Sequence, residues 1–137
     1  MASLEYFLVA ESLSLDQATN RISIFNVLEI VAAPELPVVQ QTIAISSWNI
    51  PPEERGQTFR VVLRVHPPGE EAWEQAHVLE PSAASRRRSI LGWRAFPFDR
   101  PGDWRFEVRL GDGGAGREAS HLITVSRTEA ERRPAGG

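Results

Sequence analysis

The chain has 137 residues, no cysteine and no lysine, and its formal net charge at pH 7 is −3. This composition excludes a disulfide framework, a zinc site with cysteine ligands, a thiol nucleophile and a Schiff-base lysine. The length fits one ordinary domain, and the mild charge does not favour nucleic acid as a partner.

The N-terminal segment is not expected to be a secretion signal. Its apolar run lacks a preceding basic region and is interrupted by Glu11, unlike the apolar core of a signal peptide. No apolar run in the sequence approaches the roughly 18 residues that a membrane-spanning helix needs. We therefore expect a cytoplasmic protein with no membrane partner.

The chain opens with a predicted β-hairpin. Residues 4–13 are apolar and β-prone, residues 16–20 are polar turn material, and residues 21–31 return as a second strand. The alternation of this strand shifts by one position at Asn26. Because asparagine tolerates left-handed backbone, a β-bulge is predicted there. A helix over residues 22–32 is the alternative.

Two further strands follow, separated by proline-rich segments. Residues 34–37 form a rigid connector because each of their two prolines fixes its own φ angle. Residues 38–48 are predicted as the third strand and residues 51–56 as a loop. The fourth strand alternates apolar with charged positions, which predicts one buried face. Its residues are Phe59, Arg60, Val61, Leu63, Arg64 and Val65.

Residues 72–80 fit either secondary structure. Ala72, Ala76 and Leu79 have helical spacing, whereas Trp73, His77 and Leu79 share one face of a strand. A strand is favoured because the rest of the chain is β.

The segment that follows contains a run of arginines. Residues 81–89 are predicted as a loop that carries Arg86, Arg87 and Arg88, and residues 90–96 as a short strand. A loop with three guanidinium groups can bind phosphate or an acidic partner. These three arginines are the candidate binding residues of the sequence, and an ordinary solvated loop is the alternative.

The clearest strand begins after Pro101 and Gly102. It alternates four apolar with three charged residues, so one face is predicted to be buried: Trp104, Arg105, Phe106, Glu107, Val108, Arg109 and Leu110. A glycine-rich turn and a last strand over residues 119–125 follow. About eight short strands predict an all-β, antiparallel β-sandwich over residues 1–127. Residues 128–137 are expected to be a disordered polar tail.

Four segments together resemble an uncharacterised bacterial family of short, stand-alone domains of unknown function. They are residues 6–11, 20–26, 34–37 and 101–106, and the resemblance spans about residues 4–126. It implies an immunoglobulin-like β-sandwich, and it supplies no catalytic residues. The family usually has glycines where this chain has Asn20 and Asn26, and asparagine is the next-best residue for left-handed backbone.

The polar residues do not form a recognisable catalytic or metal-binding motif. The three histidines, His66, His77 and His121, lack the spacing of metal ligands. The four aspartates, Asp16, Asp99, Asp103 and Asp112, are attributed to turns, since calcium needs several clustered oxygens. No Gly-x-Ser-x-Gly motif occurs. We expect neither a metal nor a cofactor.

These observations favour a non-enzymatic module that binds another macromolecule, expected to be a protein. The alternative is a module that binds a carbohydrate or small ligand on Trp48, Trp73 and Trp93, because exposed aromatic rings can stack on sugars. The exposure and mutual orientation of these rings discriminate between the two functions.

Overall fold

The computed structural model describes residues 1–128, which form nine strands in two sheets. The strands are β1 (Ser3–Asp16), β2 (Arg21–Val27), β3 (Ile30–Ala33), β4 (Val38–Asn49), β5 (Phe59–His66), β6 (Trp73–Leu79), β7 (Arg86–Phe98), β8 (Gly102–Leu110) and β9 (Glu118–Arg127). One sheet has the order β2-β1-β4-β7 and the other the order β3-β9-β8-β5-β6. The predicted all-β sandwich is confirmed.

The core lies between the sheets, where the alternating strands send their apolar side chains. Strands β5 and β8 pair antiparallel, with Leu63 opposite Val108. The predicted inward residues are all buried: Phe59, Val61, Leu63, Trp104, Phe106 and Val108. Arg60, Arg64 and Arg105 are exposed and Glu107 is half-buried, so the predicted register is confirmed.

The predicted second strand is divided between the two sheets. β2 ends at Val27, and the chain then crosses to the five-stranded sheet, where β3 pairs parallel with β9. Leu28 is buried at the crossing, and its N–H donates to Val9 O at 2.8 Å. The single strand predicted over residues 21–31 is therefore wrong, because burial of Leu28 between the sheets interrupts it. The helical alternative is wrong as well.

Asn26 has left-handed backbone, with φ 56°. The pairing of β1 with β2 keeps one register on both sides of it, Ala10 with Val27 and Ser12 with Phe25. The predicted left-handed residue is confirmed, but no extra residue is inserted and the predicted bulge is wrong. The side chain of Asn26 donates to Glu11 Oε2 at 3.1 Å, which holds this position of the hairpin.

Two further predictions concern the middle of the chain. The strand favoured over residues 72–80 is confirmed as β6, which pairs with β5 along its whole length. By contrast, Arg86, Arg87 and Arg88 are not in a loop. They form the start of β7, which is longer than the predicted short strand because these residues pair with Asn49, Trp48 and Ser47 of β4. An edge strand accepts charged side chains readily, so the arginine run did not exclude a strand.

The described residues end one position into the predicted tail. The N–H of Thr128 donates to Ala33 O at 2.9 Å, and the remainder of the tail predicted to be disordered, residues 129–137, lies outside the described residues. Within residues 1–128 there is no helix with the length and apolarity needed to cross a bilayer.

Candidate functional site

The three candidate arginines point to two sides of β7. Ala44 and Trp48 of β4 belong to the core, so the residues that alternate with them lie on the outer face of the four-stranded sheet. Arg88 pairs with Ser47 on that outer face, and Arg86 lies two residues before it. Arg87 pairs with Trp48 and therefore lies on the inner face of the sheet, where its Nη1 donates to Glu80 O at 2.7 Å.

Arg86 forms a bidentate ion pair with Glu5. Its Nε and Nη2 donate to the two carboxylate oxygens at 2.6 and 2.8 Å, and the hydroxyl of Ser47 donates to the same carboxylate at 2.9 Å. The hydrogen bond from Arg86 lowers the pKa of Glu5, and the same bond raises the pKa of Arg86. This guanidinium is therefore largely committed to its own chain.

Arg88 connects β7 to the turn of the β1–β2 hairpin. The pairing of β1 with β4 ends at Ala10, which lies opposite Ile43 of β4. Ile43 in turn lies opposite Gly92 of β7, so Ala10 is level with Gly92 in the sheet. Arg88 lies nearer to the start of β7 than Gly92, yet its Nη2 donates to the backbone O of Asn20 at 2.9 Å. The hairpin therefore bends back over the outer face of the four-stranded sheet.

Two buried outer-face residues support this bend. Ile45 alternates with the core residue Ala44 and lies on the outer face, yet it is 0% exposed, as is Ala10. The Nε–H of Arg88 is also buried, and no acceptor for it exists among residues 1–128. The folded hairpin thus shields the Nε–H of Arg88 from water and leaves this donor without an acceptor.

An open cleft of about 760 Å³ separates the hairpin turn from the start of β7. We call it the arginine cleft, and its lining residues are Leu15, Thr19, Asn20, Arg21, Ile22, Ala84, Arg86, Arg87, Arg88 and Ile90. Four arginines line it and no carboxylate does, although Glu5 binds one of them. A second depression, of about 420 Å³, lies on the five-stranded sheet and is lined by two arginines and two glutamates.

Arg21 is the cleft residue that the sequence did not single out. It starts β2, far along the chain from the arginine run, and pairs with Asp16 at the hairpin turn. Its guanidinium has no hydrogen-bond or ion-pair partner among the described residues. Only the bend of the hairpin brings it to the cleft, and no local sequence signal encodes that bend except the two left-handed asparagines, Asn20 and Asn26.

The profile of a family of unknown function, DUF6941, matches residues 5–119. The chain belongs to this family. The matched range contains the whole arginine cleft and the four tryptophans. No curated protein matches the chain. Membership of DUF6941 confirms the resemblance to an uncharacterised domain family, whereas bacterial origin and the immunoglobulin-like type stay predictions.

The tryptophans of this DUF6941 chain do not form one flat platform. Trp48 is 0% exposed, and its indole N–H donates to Ser46 Oγ at 2.9 Å. Trp73 is 37% exposed and Trp93 is half-buried. Their rings are 6.1 Å apart between centroids and nearly perpendicular, at 81°. The coplanar arrangement that would stack on the face of a sugar is absent from these three residues.

The histidines of the DUF6941 chain lie apart from one another, and each has its own partner. His66 Nε2 contacts Glu107 Oε1, His77 Nδ1 lies 2.8 Å from Ser89 Oγ, and His121 Nε2 donates to Leu28 O at 2.6 Å. Over residues 1–128 no group of three or more histidine, aspartate or glutamate side chains is placed to hold a metal ion.

Proposed function

We propose that this chain is a non-enzymatic, cytoplasmic bacterial module of immunoglobulin-like type that binds an acidic segment of another protein in the arginine cleft. The observation that carries the proposal is the charge imbalance of the cleft. Four arginines and no carboxylate line the cleft, in a chain whose net charge is negative, although Arg87 lies on the opposite face of β7 from Arg86 and Arg88. A cleft lined by one sign of charge concentrates the field and attracts ligands of the opposite sign.

The cleft offers donors that its own chain does not use. The guanidinium of Arg21 has no partner among the described residues, so all of its donors are available to a ligand. Arginine presents its donors in a planar fork that matches a carboxylate, so a glutamate or aspartate side chain could bind two of them at once. The apolar residues Leu15, Ile22 and Ile90 would contact the methylene groups of the same segment.

Two carboxyl groups are held in the charged form by an arginine beside each of them. The pKa of Glu5 is lowered chiefly by its hydrogen bond from Arg86, and that of Asp99 chiefly by its hydrogen bond from Arg100. Both carboxyls are thus stabilised in the charged form by an arginine beside them in the fold.

The test measures binding of a labelled decaglutamate peptide to the full chain by fluorescence anisotropy. The cleft variant is Arg21→Ser with Arg87→Ser, which removes two guanidiniums and leaves the Arg86–Glu5 and Arg88–Asn20 contacts intact. Its matched control is Arg60→Ser with Arg64→Ser, which makes the same charge change on the exposed face of β5.

We expect the cleft variant to weaken binding roughly tenfold and the control to change it little, because exposed charges act mainly over short distances at physiological ionic strength. Added salt should weaken the wild type more than the cleft variant. Equal loss in both variants would contradict the proposal, since it would show attraction to the overall charge. Full displacement of the peptide by inorganic phosphate at equal concentration would also contradict it and indicate a small-anion site.

A further inference from the structure

A third cavity lies near the end of β7, between that strand and β6. Its volume is about 220 Å³, and its lining residues are Pro67, Glu70, Trp73, Trp93, Phe96, Pro97, Asp99 and Trp104. We call it the tryptophan pocket. We propose that it binds an extended, proline-containing peptide segment that carries a flanking arginine or lysine. This inference goes beyond the proposed function, since it concerns another site and another ligand.

The shape of the pocket favours a compact aliphatic ring. Trp73 and Trp93 meet at 81°, and Trp73 stacks on Phe96 at an interplanar angle of 29°. Two perpendicular indoles form a corner, which suits the compact pyrrolidine ring of proline better than a flat base. Phe96 forms the base of the pocket and is held in place by the core, because it is buried and its ring centroid lies 6.0 Å from that of Trp104. Aromatic-lined grooves of this kind recognise polyproline II segments.

The indole N–H groups provide the polar part of the recognition. Those of Trp48 and Trp104 donate to Ser46 Oγ and Arg100 O. Those of Trp73 and Trp93 have no acceptor among the described residues. A polyproline II segment has no internal hydrogen bonds, so its carbonyl groups are free to accept from these two donors. Tryptophan at a binding surface commonly combines an apolar ring with one such donor.

The charges around the pocket favour a basic neighbour for the proline. Glu70 and Asp99 line it, and both bind the single guanidinium of Arg100, at 2.6 and 3.0 Å. Two carboxylates against one guanidinium leave a net negative charge at the pocket. An arginine or lysine beside the proline would complement that charge, and the apolar rings would contact the proline itself.

The experiment uses the four indole N–H signals of the full chain in a ¹H–¹⁵N NMR spectrum. The probes are a proline-rich peptide with one flanking arginine, the same peptide with every proline replaced by alanine, and the tetramethylammonium ion. We expect the first probe to shift the signals of Trp73 and Trp93 saturably and to leave that of Trp48, which is buried away from the pocket, in place. The other two probes should not shift them.

Two variants sharpen the test. Trp93→Phe keeps an aromatic ring and removes one donor, so it should weaken peptide binding roughly fivefold, as the loss of one neutral hydrogen bond does. Arg21→Ser with Arg87→Ser should leave the binding of this peptide unchanged, which separates the pocket from the arginine cleft. Absence of shifts at Trp73 and Trp93, or equal shifts with the alanine peptide, would overturn the inference. Saturation by tetramethylammonium would overturn it in favour of a cation site.

Discussion

Phe106 is fully buried between the two sheets, with its ring centroid 5.5 Å from that of Phe96. We expect Phe106→Ala to lower the free energy of unfolding by about 3–5 kcal/mol, because the substitution loses transfer free energy and leaves a cavity. Urea unfolding followed by tryptophan fluorescence measures the change. Leu122→Ala is the control, since Leu122 is 55% exposed on the neighbouring strand β9. A cost below about 1 kcal/mol for Phe106→Ala would contradict the described core.

Glu5 gives stability a defined pH dependence. Its pKa is lowered in the folded chain by the hydrogen bond from Arg86. The ion pair therefore stabilises the fold at pH values above the ordinary glutamate pKa, and the stabilisation is lost as pH falls through the lowered value. We expect Glu5→Gln to lower the melting temperature at neutral pH and to have progressively less effect below about pH 4.

Thermal melts of the wild type and of Glu5→Gln, at neutral and acidic pH, check this expectation. Glu71→Gln is a suitable control, because Glu71 is exposed and has no ion-pair partner among residues 1–128. A difference between wild type and Glu5→Gln that stays constant over the whole pH range would show that the ion pair is not the source of the effect.

At the scale of single elements, the β1–β2 hairpin depends on left-handed backbone at Asn26. A β-branched residue at a positive φ is strained by clashes of its side chain with the backbone. We expect Asn26→Val to destabilise the chain by about 1–3 kcal/mol. Asn26→Gly should cost clearly less, because glycine adopts this conformation freely and only the exposed bond to Glu11 is lost. Urea unfolding of both variants provides the comparison, and equal losses would show that backbone strain is not the cause.

The elements also show which features a sequence can predict. β8 was predictable because its buried and unburied positions alternate without interruption, and β5 because its alternation is broken only at Val62, which is buried as well. The start of β7 was not predictable as a strand, because a run of arginines has no β alternation. It becomes a strand only by pairing with β4. The break between β2 and β3 has a tertiary cause too, namely the burial of Leu28.

The candidate site was predictable in part for the same reason. Arg86, Arg87 and Arg88 attracted attention as adjacent guanidiniums, and they do line the largest of the clefts described above. The contribution of Arg21 was not predictable, since it depends on the bend of the hairpin. The ion pair between Arg86 and Glu5 was not predictable either, because these residues meet only when β1 and β7 lie on the two sides of β4 in the sheet.

On the scale of the whole molecule, β7 is the edge strand that carries both candidate sites. The arginine cleft lies at its start and the tryptophan pocket near its end. The two sites have opposite charge preferences, with arginines lining one and carboxylates the other.

The most direct test of the proposed function is a backbone ¹H–¹⁵N NMR titration of the full chain with the decaglutamate peptide. We expect saturable shifts that cluster in the hairpin turn and at the start of β7, at residues 15–22 and 84–90, and that weaken with added salt. Shifts that instead cluster around Arg64 and Arg109 on the five-stranded sheet, or no shifts at low salt, would contradict the account.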